Sequence, residues 1–94
     1  MIHFFQGLPY NITTQTTAIV KAEGGILHCI TFNKPVATAT VTIYDNTAAS
    51  GTVIGTITVP ANPQPSTVFY DVRFGTGLTI VTGVANEDIT VVYG

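Results

Sequence analysis

The sequence predicts an all-β fold: an antiparallel β-sandwich of about seven to eight strands, Ig-like or jelly-roll-like, with an N-terminal extension. Three observations carry this. Apolar and polar residues alternate with period two, most clearly over residues 37–44, where Thr38, Thr40 and Thr42 share one face and Ala39, Val41 and Ile43 the other. Short β-branched runs recur at roughly 8–12-residue spacing, separated by Gly, Pro, Asn and Asp. No i, i+3, i+4 stripe runs beyond about two helical turns.

The elements follow in chain order. Residues 1–16 are the most aromatic stretch and do not fit the alternation, so they form an arm or an extra edge strand. Residues 17–94 form the single sandwich domain. Residues 16–21 are the first regular strand. Residues 25–32 are almost continuously apolar and therefore central. Residues 37–44 are the third strand. Residues 52–59 are the fourth, with Val53, Gly55, Ile57 and Val59 out of phase with Ile54. Residues 67–74 put Val68, Tyr70, Val72 and Phe74 on one face. Leu78–Thr82 and Asp88–Tyr93 are the last two. Turn residues lie between them, as in Asp45-Asn46-Thr47 and Gly75-Thr76-Gly77. Pro60, Pro63 and Pro65 cannot donate to a ladder and favour extended backbone, so this segment reads as a stiff crossover between sheets.

Composition narrows the function. The 94 residues allow one domain, 9% of them are charged, and 46% are hydrophobic. Three scattered cations in a chain of net charge −2 do not neutralise a phosphate backbone, which argues against nucleic-acid binding. Disorder needs low hydrophobicity and high net charge. No run approaches the ~20 apolar residues of a membrane helix. The first ten residues lack a cationic stretch followed by an apolar one, so no signal peptide is expected. Threonine fills 17 positions and replaces charge as the polar surface, which suits a chain packed against neighbours.

Chemistry-bearing residues are few. Two histidines, His3 and His28, make a poor start for a metal site. Alternation puts His28 on the face of Ile26 and Ile30, and Cys29 on the other, as a small buried hydrophobe. Asp45, Glu87 and Asp88 sit in turn sequences, where a carboxylate bonds local backbone. Asp71 and Arg73 share a strand face, as a local ion pair or a contact with a neighbouring subunit. Gly75-Thr76-Gly77 looks like a phosphate-loop fragment, but neither Lys nor a helix pattern follows it. The reading is of no enzyme, no cofactor and no metal. Candidate partner contacts are His3, Phe4, Phe5, Tyr10, Asp71 and Arg73.

The strands Gly25-Ile-Leu-His-Cys-Ile-Thr-Phe32, Ala39-Thr-Val-Thr-Ile-Tyr-Asp45, Gly51-Thr-Val-Ile-Gly-Thr-Ile57, Tyr70-Asp-Val-Arg-Phe-Gly-Thr-Gly-Leu-Thr-Ile-Val-Thr82 and Asp88-Ile-Thr-Val-Val-Tyr93 carry a resemblance. In order and spacing they resemble small β-sandwich virion structural proteins of tailed bacteriophages, capsid decoration or cement proteins, over about residues 24–94. The resemblance implies a structural virion protein, not an enzyme, without fixing its place on the particle, and the small single domain favours decoration of the capsid surface. It would bind between capsomers, with the major capsid protein and copies of itself, in a homotrimer, as partners. The alternatives are a tail, fibre or head–tail accessory module, or a host-glycan-binding module stacking on Tyr10, Tyr44, Tyr70 and Tyr93.

Overall fold

Eight strands build two four-stranded sheets in the computed structural model, which describes residues 7–94. The strands are β1 (Leu8–Ile12), β2 (Thr17–Lys21), β3 (Gly25–Lys34), β4 (Thr40–Asp45), β5 (Thr52–Thr58), β6 (Ser66–Phe74), β7 (Leu78–Thr82) and β8 (Asp88–Tyr93). The first sheet runs β1-β8-β3-β6 and the second β2-β7-β4-β5. Every pairing is antiparallel. Apart from the β4–β5 hairpin, each connection leaves one sheet for the other, including the proline-rich segment of residues 60–65.

The period-two pattern works because each strand has one buried face. In the first sheet Tyr10, Val91, Ile30 and Val68 lie in one cross-strand row that faces the core. In the second, Ala18, Ile80 and Ile43 form the matching row, which ends at Gly55. β-branched side chains dominate these rows because their stiff χ1 fills a pleated surface at little entropic cost. Two threonines are also buried, and both are satisfied: Thr79 Oγ1 donates to Asn46 O at 2.8 Å, and Thr82 Oγ1 to Thr14 O at 2.6 Å.

The strands differ from the sequence expectation at three places. Residues 37–39 do not extend β4, because Thr38 turns left-handed at φ 61° and Ala39 donates back to Val36 O at 3.1 Å. Val53 does not share the face of Gly55 and Ile57. The pairing slips by one residue at Ile54, so Val53 lies opposite Tyr44 on the outer face, half exposed. The third place, a slip at His28, is described with the surface below. Within the N-terminal segment, Leu8–Ile12 pairs with β8 as an edge strand and buries Ile12.

Two contacts tie the sheets at their margins. Gly55 gives the Tyr70 ring room where β5 and β6 face each other: a Cβ there would stand 2.6 Å from Tyr70 Oη. Burial pushes the Tyr70 phenol pKa up. Asp45 does not bond its own turn. It reaches the β6–β7 crossing and accepts from the amides of Thr76 (2.8 Å), Gly75 (3.0 Å) and, at 3.4 Å, Gly77. Three successive amides aimed at one carboxylate form an anion nest. The apparent phosphate loop is therefore filled by the chain's own carboxylate.

Gly55→Ala should cost about 1–3 kcal/mol by overpacking against the Tyr70 ring. In a Tyr70→Phe background the cost should shrink, as a double-mutant thermal-denaturation cycle will measure. The nest amides, Gly75 foremost, hold the Asp45 pKa below its ordinary 3.8. A lowered carboxyl pKa contributes stability above the ordinary value and loses it as pH falls through the lowered one. Asp45→Asn should therefore lower the melting temperature at pH 7 and flatten the acid limb below pH 3.8.

Candidate interaction surface

The outward rows of the two sheets have different chemistry. In the second sheet the rows Thr17, Val81, Thr42, Thr56 and Ile19, Thr79, Tyr44, Val53 carry no charge. In the first sheet one row is polar. Asn11 and Asn33 both donate to Asp88 Oδ1, at 2.7 and 3.1 Å, and Thr31 bonds Thr67 across the strands at 3.0 Å. The adjacent row, Pro9, Val92, Cys29 and Phe69, is apolar.

A bulge shapes the end of that apolar row. Leu27 pairs with Val72 and Cys29 with Phe69, so His28 faces two residues of β6, Tyr70 and Asp71. Asp71 takes up the extra length with a left-handed φ of 50°, a conformation costing of order 1 kcal/mol for a non-glycine residue. Its carboxylate is ion-paired with His28 Nδ1. The His28 ring meets Phe69 edge-on, with centroids 5.6 Å apart. Phe69 is 66% exposed and Ile26, opposite Arg73, is 41% exposed.

The bulge corrects the alternation expected from the sequence. His28 shares the outer face with Ile26, but Ile30 turns into the core. Cys29 is buried as expected, yet on the outer side between Val92 and Phe69 and not in the intersheet core. Cys29, His28 and Asp71 thus come close together. Burial pushes the thiol pKa up, a Thr31 hydrogen bond opposes this, and the Asp71 charge adds to the rise. That direction keeps the thiol protonated, the reverse of an activated nucleophile.

Of the predicted contact residues, Asp71 and Arg73 do share the outer face of β6, but the ion partner of Asp71 is His28, across the strand. Tyr10 lies on β1 at the opposite edge of the sheet and packs against the core. Tyr70 and Tyr93 also pack inward, leaving Tyr44 as the tyrosine of an outer face. His3, Phe4 and Phe5 lie outside the described residues. Sequence reasoning passed over Phe69 and Ile26. The signal was present in β6, where the inward phase of Val68, Tyr70, Val72 and Phe74 already sends Phe69 outward.

The remaining chemistry is dispersed. Among the described residues no three His, Cys, Asp or Glu side chains gather to hold a metal ion. A depression of about 420 Å³ follows the β1–β2 loop past Thr13, Thr14 and Thr17. A second, of about 190 Å³, opens between Phe32, Ile57, Val59 and Val68. Glu87, expected to bond its own turn, is instead 2% exposed, and neither carboxylate oxygen has a hydrogen bond of normal geometry. Burial pushes its pKa up, and the Val36 amide partly offsets this.

A raised carboxyl pKa means the folded state holds the proton more tightly than the unfolded chain. Stability then falls as pH rises from the ordinary 4.5 through the raised value. Glu87→Gln should raise the melting temperature at pH 7 by several degrees, on the scale of about 1 kcal/mol, and change it little at pH 4. No protein-family model, curated protein or solved structure matches the chain.

Proposed function

We propose that this protein is a structural component of a bacteriophage virion, a capsid decoration protein that stabilises the head by binding between capsomers. The observation that carries the reading is the Phe69–Ile26 patch. It sets two large apolar side chains in solvent beside Arg73 and the His28–Asp71 pair, at the end of the apolar outer row. Apolar anchors rimmed by polar groups are what a docking surface needs. The sparse charge of the whole chain and its strand-by-strand resemblance to phage sandwich proteins support the same reading.

The mechanism is linkage. A protein that binds only the assembled lattice stabilises it by RT ln(1 + [L]/Kd) at each site, and many sites act together. Apolar contact at the patch supplies affinity, while the ion pair and Arg73 restrict orientation.

The test is co-sedimentation of the purified protein with expanded heads that lack it, and with isolated tails. Saturable binding to heads, and none to tails, is expected. Binding to tails alone would favour the tail or head–tail accessory reading, and binding to neither would overturn the proposal. Phe69→Ser with Ile26→Thr should weaken head binding at least about tenfold while leaving the melting temperature nearly unchanged, since both side chains are exposed.

A further inference from the structure

Among the described residues the two-sheet sandwich has four edge strands, β1, β6, β2 and β5, each presenting unpaired backbone donors and acceptors. Three carry features that discourage another strand from pairing. β1 is five residues long and contains Pro9. β2 is equally short, breaks register between Ile19 and Lys21, and ends in that lysine. β6 has the bulge at Asp71, followed by the charge of Arg73.

β5 differs. It is seven residues long, Thr-Val-Ile-Gly-Thr-Ile-Thr, with six β-branched residues, no charge and no proline. Its one irregularity is the slip at Ile54, and residues 55–58 stay in register with β4. The nearest carboxylate, Asp45 opposite Thr52, is turned to the amides of the β6–β7 crossing. Long, uncharged, β-branched edges are the segments that pair with other chains.

We propose that β5 is a self-association edge, at which β5 of a second copy adds antiparallel about a two-fold axis at Thr56. Three observations select a second copy as the occupant. An edge without charge meets its own image without like-charge opposition. A two-fold at Thr56 keeps faces matched: core-facing Gly55 lies opposite core-facing Ile57 of the second copy, and outward Thr56 opposite outward Thr56. The 190 Å³ cleft, lined by Ile57, Val59, Pro60 and Val68, opens beside the same edge, so pairing would shelter it. The result is one continuous eight-stranded sheet across two copies.

The proposal goes beyond the capsid reading and does not depend on it, and the experiment separates the two. The oligomeric state of the full chain is measured by analytical ultracentrifugation without heads present. A dimer is expected, with slowed amide exchange along residues 54–58. Thr56→Lys sets two ammonium groups against each other at the axis and should weaken dimerisation about 100-fold. Thr42→Lys puts the same charge on the same face one strand inward and should leave the dimer intact. Thr56→Glu repeats the like-charge test with two carboxylates should Thr56→Lys fold poorly. A wild-type chain that stays monomeric at high micromolar concentration overturns the edge, even if it binds heads. A dimer that survives both charges at Thr56, or that Thr42→Lys also breaks, overturns it equally. A dimer that fails to bind heads overturns the proposed function and leaves the edge standing.

Discussion

The structure depends on one continuous aliphatic seam between two sheets. With almost every connection crossing from sheet to sheet, no strand can be removed without opening that seam. Fully buried Leu27, Ile30, Ile43, Ile80, Ile89 and Val91 come from four different strands, so each pairing register also sets which side chains meet in the core. A slip of one residue would turn a whole strand's apolar set to water. Register and burial therefore enforce one another.

Where register does slip, the surface acquires its character. The slip at His28 brings a histidine, a carboxylate and an exposed phenylalanine together. The slip at Ile54 sends Val53 outward and leaves the second half of β5 as a plain edge. The break beyond Ile19 helps to close β2. Bulges redirect side chains without disturbing the core rows on either side, because the neighbouring strands absorb the extra residue locally. The same device thus produces both the patch proposed to meet a shell and the contrast among the four edges.

Two turn carboxylates show how little the local sequence says about environment. Asp45 is the last residue of β4, and Glu87 lies between β7 and β8. Asp45 is gripped by three amides that favour its charge, and Glu87 is buried where desolvation disfavours it. They pull the pH dependence of stability in opposite directions. The amides that hold Asp45 lie about thirty positions away at the β6–β7 crossing, whereas the Glu87 shift comes from desolvation, which the Val36 amide opposes.

The sequence by itself determined the fold class and most of the strands. Period two, β-branched residues and turn residues are local properties, and seven of the eight strands can be read from them directly. β1 is legible only as an arm or an edge strand, because Pro9 and the surrounding aromatic residues mask its alternation. The outward phase of Phe69 was equally legible. The tertiary structure decided the rest: the strand order, the pairing of His28 with Asp71, the capture of Asp45 by a distant turn, the burial of Glu87 and the inward packing of Tyr10. Each depends on residues far apart in the chain meeting across a sheet or between sheets. A one-residue bulge inverts every such inference downstream of it, and nothing in the local pattern around His28 marks where that bulge falls.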